Sequence, residues 1–383
     1  MPNPSRSVVG ALVLALLAPA VSSQCAPVWA QQQALAGIHG TVRAAASWDP
    51  DGPGPRGPVV VLGGFFDVAG TELANGIAAY DFATGTWSTF GAGLGSVNAL
   101  LVLPTGELVA GGSSVHRWNG STWVQLGAGF DSEVLALARR PNGDLVAGGS
   151  FTYVGTQVFG GIARWNGTAW VPMGSGMNQA VQAVAALPNG DVVAGGWFTY
   201  VAGQLIERIA RWNGSAWSAL GAGIGGEVHA LLALANGDLV AGGEFVSAGG
   251  APADNVARWN GASWSALGTG ITGGYPPRVH ALHQLANGDL LVGGNFFSAG
   301  GAGASCIARW DGTSWSALDG GITSPLAYVT LLYTRSPPRA AAWSRVGSSG
   351  AREVPRSRTS APSTAPPGRP SARVQRRPCA RSR

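Results

Sequence analysis

The chain has 383 residues, among them 60 Gly, 24 Pro and 15 Trp, and only 11% of it is Asp, Glu, Lys or Arg. That combination excludes a coiled coil, a helical bundle and ordinary disorder, and glycine well below one third with no three-residue period excludes collagen. The net charge of +5 is uneven: every basic residue is Arg, and half of the 24 lie between Arg335 and Arg383, where Glu353 is the only acid. The body is therefore mildly acidic, and the nucleic-acid partner that a pI of 9.6 invites would concern the tail alone; none is expected.

At the N-terminus, Arg6 precedes an uncharged apolar run from Val8 to Val21, small residues, and Val28-Trp29-Ala30. A basic start, a short apolar run and an A-x-A-like site read as a secretory signal peptide over residues 1–30, not as a membrane span. The mature chain is expected outside the cytoplasm, secreted or at the cell surface, with no membrane span after signal removal. Gln24 stands where a lipoprotein signal before Cys25 needs a small residue. Residues 31–41 read as a linker. With Cys25 near the cleavage region and Cys379 in the tail, Cys306 is the only cysteine of the body, so no internal disulfide is implied.

From there an internal repeat takes over. An Arg-Trp-Asn-Gly or Arg-Trp-Asp-Gly motif places its Trp at Trp118, Trp165, Trp212, Trp259 and Trp310, at intervals of 47, 47, 47 and 51 residues. A second Trp follows each, at Trp123, Trp170, Trp217, Trp264 and Trp315. Gly pairs beginning at Gly63, Gly111, Gly148, Gly195, Gly242 and Gly293 keep the same beat. A fixed period of this size marks one supersecondary unit repeated, in the range of propeller blades. The unit from Val228 to Ile271 divides into four short apolar stretches with turn signals between them, which predicts antiparallel strands. Asp238-Leu239-Val240-Ala241 is apolar at consecutive positions, as in a strand covered on both faces. Asn166-Gly167 reads as a two-residue type I′ hairpin turn, which would pair Trp165 with Thr168 and set Ala163 opposite Trp170. The tryptophans are read as blade packing, not as a sugar-stacking platform.

These features resemble the kelch-type β-propeller family. Its mark is an apolar strand ending in a Gly pair, then a spaced Tyr or Trp and a further Trp, as in Val59-Val60-Val61-Leu62-Gly63-Gly64 followed by Tyr80 and Trp87. Later units depart by a tighter Asn-Gly turn and by Trp in place of Tyr. The repeats also look like those of exported bacterial propeller-repeat proteins and of the fungal cortical cell-polarity marker family. The resemblance spans about Val42 to Ile322 and implies a fold, not an activity. The expected class is all-β: a propeller of four-stranded antiparallel blades over residues 42–334, with six complete repeats and the start of a seventh near Tyr328.

The tail, residues 335–383, is rich in Arg, Pro and Ser and reads as disordered. Taking Ser as TCN and Arg as CGN and shifting the reading frame, Ala342 to Ser349 permits Leu-Val-Ala-Gly-Gly-Phe-Phe. Pro362 to Ala372 permits Phe-Asp-Gly-Thr-Thr-Trp-Ala-Pro-Leu-Gly, in register with the earlier units. The tail is thus expected to be a seventh repeat read in the wrong frame.

Chemistry is sparse. The first-to-second and third-to-fourth turns of each unit share one face of the disc and hardly vary. The second-to-third loops and the connectors share the other and vary in length. Rigid scaffolds display function on such loops, so Phe159, Leu205, Glu207 and Tyr275 are the candidate contact residues. Asp144, Asp191, Asp238 and Asp289 recur after Asn-Gly as turn residues, with Arg164, Arg211, Arg258 and Arg309 as their candidate partners. His229 and His280 hold equivalent first-strand positions and His283 lies nearby, but no Cys or carboxylate completes a recognisable zinc set. Asp49-Pro50-Asp51-Gly52 lacks the ligand series of a calcium loop. Neither a catalytic set, a metal nor a cofactor is expected. The reading is a non-catalytic binding or surface-associated structural module for a protein or glycan ligand; the alternative is a secreted carbohydrate-active enzyme.

Overall fold

Five-residue runs such as Leu239-Val240-Ala241-Gly242-Gly243 are buried at every position, which a single sheet cannot do for itself: both of its faces need a neighbour. The computed structural model describes residues 15–17, 37–318 and 333–335. Every regular element in it is a strand. Among the described residues, six antiparallel four-stranded meanders follow one another, here called blades 1 to 6, over residues 38–89, 97–125, 134–172, 181–219, 224–266 and 278–317. Blade 5 is representative, with strands Ile224–Ala233, Leu239–Ala248, Val256–Trp259 and Trp264–Ala266. The molecule is a β-propeller. Its first strand, Ile38–Trp48, begins inside the stretch read as a linker. Residues 328–332, where a seventh repeat was expected to open, the tail beyond Arg335 and most of the stretch read as a signal peptide lie outside the described residues. Two short strands there are described: Ala15–Leu17 pairs in parallel with Tyr333–Arg335, which lies beside Ile38–Trp48.

The first strands of successive blades lie against one another from blade 1 to blade 6, on the axial side of the sheets. The core sits between blades: Val146 and Ile162 of blade 3 share a buried cluster with Val181, Val192, Ala194 and Trp217 of blade 4. In blades 1 to 5 the Gly pair serves this packing in two ways. A Cβ on Gly148 would stand 2.7 Å from Val181 Cγ1 in the next blade, and one on Gly111 would stand 2.9 Å from Val134 Cγ1. A Cβ on the second glycine would strike the blade's own first-strand backbone, as Gly149 does at the Glu133 carbonyl. The first glycine therefore seats the neighbouring blade, and the second admits a bulge beside it.

The fourth-strand tryptophans bolt each blade to the one before. The indole Nε1–H of Trp170 donates to the Leu126 carbonyl at 2.7 Å, Trp217 to Met173 at 2.7 Å, Trp264 to Leu220 at 3.0 Å and Trp315 to Leu267 at 2.7 Å. Blade 2 breaks the series, because Trp123 Nε1 is buried with no acceptor.

The hairpin register differs from the sequence reading. Trp165 pairs with Trp170, Arg164 with Val171 and Ala163 with Pro172, so the loop has four residues, not two. The cause is the Asn166 side chain. Its Oδ1 accepts from the Thr168 and Ala169 amides at 3.0 and 2.9 Å, an Asx-type turn that outcompetes the type I′ geometry. Only Gly167, at φ +100°, takes the left-handed conformation. The two indoles consequently face each other across the strands, with ring centroids 5.5 Å apart, and Ala163 opposes Pro172 instead of Trp170.

All four Asp–Arg pairs form, each joining the first-to-second turn of a blade to its third strand. Arg164 Nη1 reaches Asp144 at 2.8 Å, and the Nε groups of Arg211, Arg258 and Arg309 reach Asp191, Asp238 and Asp289 at 2.7, 2.7 and 2.5 Å. Burial raises the Asp144 pKa, but hydrogen bonds from Arg164 and Asn142 outweigh it and hold the carboxyl below its usual range.

Trp217→Phe is expected to lower stability by about 1–2 kcal/mol, since it strips a buried carbonyl of its donor. Trp123→Phe, which removes an orphaned donor, is expected to cost clearly less; urea denaturation midpoints of the two variants decide the comparison. Gly195→Ala is expected to cost about 1–3 kcal/mol by pushing a methyl into Val228 of the next blade. The Gly195→Ala/Val228→Ala double variant should lose less than the sum of the two single losses, which an equilibrium double-mutant cycle reads directly.

Candidate functional site

Two features converge on the face where second strands end and first strands begin. One is a layer of loops and the other is the mouth of the axis.

The loop layer is built, not slack. After its Gly pair each blade except the second sends one aromatic inward, Phe66, Phe151, Phe198, Phe245 or Phe296, all buried. In blades 3 and 4 the chain then makes a small hairpin pairing Tyr153 with Val158 and Tyr200 with Leu205. The connector entering the blade ties this hairpin down. Asp131 Oδ1 accepts from the Thr152 and Tyr153 amides at 2.9 Å, and Asn178 Oδ1 from those of Thr199 and Tyr200 at 3.0 Å. Backbone bridges from Phe130 to Val154 and from Met177 to Val201 complete the tie.

With the inner aromatics buried, their neighbours point outward. Phe65, Leu73, Tyr153, Val158, Trp197, Tyr200, Leu205, Val246, Tyr275 and Phe297 are all exposed. Each follows the Gly pair, in the outer part of a second strand or the segment leading to the third, or lies in a connector. Among the described residues, Val124 is the one large apolar side chain exposed elsewhere.

The structure separates the four candidate contact residues. Leu205, Glu207 and Tyr275 are exposed, Tyr275 almost completely at 96%. Phe159 is buried and is a correction: it belongs with Phe151, Val154 and Trp170 to the cluster between blades 2 and 3. Its place in a loop concealed that the Phe159 amide bonds back to Thr152 at 2.8 Å, which turns the ring under the hairpin.

The axial mouth was not legible as a site. In every first strand the ladder slips by one residue at the same place, between Val42 and Ala44, Val97 and Ala99, Val134 and Ala136, Val181 and Ala183, Val228 and Ala230, and Val279 and Ala281. The extra residue of each bulge is Arg43, Asn98, Leu135, Gln182, His229 or His280. Bulges re-aim a side chain without ending the sheet, and two neighbouring pairs of these residues meet here, Arg43 with Asn98 and His229 with His280. Arg43 Nη1 donates to Asn98 Oδ1 at 2.7 Å, Asn98 Nδ2 reaches the Val134 carbonyl at 3.2 Å, and the His229 and His280 rings stand 5.2 Å apart. The signal was present in the sequence as a variable, mostly polar residue held between an unvarying Val and Ala in all six repeats.

The richest sector is that of blades 5 and 6. Glu227 and Glu244 are register partners on adjacent strands. Arg278 of blade 6 donates through Nε to Glu244 Oε2 at 2.5 Å. His229 Nε2 lies 3.5 Å from Glu227 Oε2. A carboxylate therefore does reach His229, contrary to the sequence reading: Glu227 stands two residues before it on the same strand, and strand pairing sets Glu244 opposite Glu227. Burial depresses His229 to about 4, aided by the Arg278 charge and opposed by Glu244. His280 falls to about 4 through burial, then through His229 and Arg278. Both imidazoles are neutral at pH 7. On the opposite face, Asp49 and Asp51 line a cleft of about 460 Å³ with Trp48, Glu107 and Trp118. There Asp51 Oδ2 already caps the Arg56 amide at 3.2 Å.

No family model and no curated protein sequence matches the chain. Among solved structures, the WD40 β-propeller domain of Doa1 is similar at 17% identity, covering 71% of this chain and 78% of that one, with a TM-score of 0.47. The extracellular domain of the putative one component system BT4673 from B. thetaiotaomicron is similar at 12% identity and a TM-score of 0.39, over 72% of this chain. This chain spans about a third, 34%, of that domain's length.

Acid sensitivity follows from the two histidines. Their folded pKa of about 4 lies below the ordinary 6.5, so between these values the unfolded chain binds more protons. The stabilisation is complete above about pH 6.5 and drains as pH falls toward 4, each imidazole giving up at most about 1.4 kcal/mol for every pH step of one crossed inside that window. The free energy of unfolding from urea titrations should fall by roughly a few kcal/mol from pH 7 to pH 4, and His229→Gln/His280→Gln should flatten the slope.

Proposed function

We propose that the chain is an exported β-propeller of kelch type that acts as a non-catalytic binding or surface-associated module, recognising a protein or glycan ligand on its loop face. The observation that carries this reading is the concentration of exposed aromatic and apolar side chains on one face. Exposed apolar groups gathered on one side of a scaffold are the signature of a contact surface, and Tyr and Trp supply most of the energy at such surfaces with little ordering cost. The backbone ties beneath the hairpins support it, since a pre-formed surface loses less entropy on binding. The basic-apolar N-terminal segment with its Val28-Trp29-Ala30 site supports export, and the shifted-frame repeats support a seventh blade scrambled in the tail. A secreted carbohydrate-active enzyme is the second reading, favoured by the carboxylates and histidines at the axis.

The purified protein probed on protein and glycan arrays should give a ligand whose binding falls at least about tenfold in Tyr200→Ser/Leu205→Ser, a loss of about 1.4 kcal/mol or more. Both residues are exposed, so the denaturation midpoint should barely move. Ligands that ignore this double variant would remove the loop face from the reading, and turnover of any arrayed glycan would transfer it to the enzyme. N-terminal sequencing of the extracellular product should begin near Gln31.

A further inference from the structure

We infer that Glu227, His229 and Glu244 form a binding site for one divalent transition-metal ion of the zinc class at the mouth of the axis. Each offers a ligand atom, and the three atoms lie within 4.8 Å of one another. Their arrangement follows from the backbone. Glu227 and Glu244 face each other across the first two strands of blade 5, and His229, two residues beyond Glu227 at the bulge between Val228 and Ala230, shares the side of Glu227.

Two further observations point to a cation rather than to an ordinary cross-strand cluster. His229 Nε2 is buried and has no hydrogen-bond partner, although it sits 3.5 Å from Glu227 Oε2. A buried polar atom of this kind is costly unless something satisfies it. Two ligand atoms bound at 2.0–2.2 Å to one tetrahedral ion stand about 3.4 Å apart, so this separation already matches a shared metal. Secondly, Arg278 donates through Nε to Glu244 Oε2; a carboxylate has a second oxygen to offer the ion, with the guanidinium as an orienting partner.

Among the described residues the trio occurs in blade 5 alone. Blade 3 has Glu133 at the position of Glu227 but Leu135 at the bulge, and blade 6 has His280 at the bulge but Arg278 and Asn295 in place of the carboxylates. One imidazole with two carboxylates selects zinc, cobalt or manganese over calcium or magnesium, which prefer all-oxygen shells. Glu227 and Glu244 keep about a third of their side-chain surface exposed, at 37% and 33%, so an ion has a route in. Three protein ligands leave at least one position open toward the channel. Nothing in this site depends on what the loop face binds.

The test is a titration of the metal-stripped full-length chain with Co²⁺ and then Zn²⁺. One equivalent should bind, Zn²⁺ should displace Co²⁺, and millimolar Ca²⁺ should not. Glu227→Gln and His229→Gln should each weaken binding by at least about tenfold, while Arg278→Gln, which retains all three ligands, should still bind one ion. In the wild-type chain, where folding is not in question, Zn²⁺ should shift the ¹⁵N resonance of one imidazole Nε2. Failure of the wild-type chain to take up either ion at micromolar concentration would overturn the inference. So would unchanged affinity in folded Glu227→Gln and His229→Gln, or a preference for Ca²⁺.

Discussion

Everything in this molecule depends on each sheet being apolar on both faces and therefore unable to exist alone. The contact that resolves this is the seating of one blade on the next. A Val of the incoming first strand fills the space left by a missing Cβ, at Gly111 and Gly148 among others, while a fourth-strand indole donates back to the preceding blade's carbonyl. The first is a steric fit and the second a directional bond. Together they fix both the spacing and the angle of neighbouring sheets, and they explain why glycine and tryptophan dominate a chain with so few charges.

That constraint also explains what could be read from the sequence. The Gly pairs and the twin tryptophans are needed in every blade, so they recur at a fixed period and announce strands, order and packing. Asp144 and Arg164 recur for the same reason, and their pairing follows from adjacent strands. The hairpin register was harder, because Asn-Gly suits a two-residue turn, and only the side-chain oxygen of Asn166 capturing two amides shows the longer loop. Phe159 misled because a loop position implies exposure, whereas the loop folds its ring beneath the Tyr153–Val158 hairpin. The cluster at Glu227, His229 and Glu244 was invisible because the two carboxylates lie on different strands, and only the register of that hairpin sets Glu244 opposite Glu227.

The loop face and the axial mouth differ in how the scaffold supports them. The loop face is carried on hairpins pinned by Asp131 and Asn178 to the connectors beneath, so its aromatics are displayed by short, hydrogen-bonded elements. The axial groups hang from first strands, and those of blades 2 to 5 lie against a neighbouring first strand on either side. A ligand spanning both would meet apolar contact area around the rim and charge at the centre. That is an efficient division: exclusion of water by the rim strengthens each polar contact at the middle.

The bulge in each first strand has a consequence for how such a protein diversifies. Because the extra residue sits outside the ladder and between two fixed small side chains, its identity can change without shifting the pairing of any strand or the fit of any blade. Arg43, Asn98, Leu135, Gln182, His229 and His280 already sample a cation, an amide, a hydrocarbon and an imidazole on one unchanging frame. Duplication of a blade thus adds one freely mutable functional group to the lumen, and the scaffold behaves as a rack of interchangeable slots whose inner chemistry can be rewritten one substitution at a time.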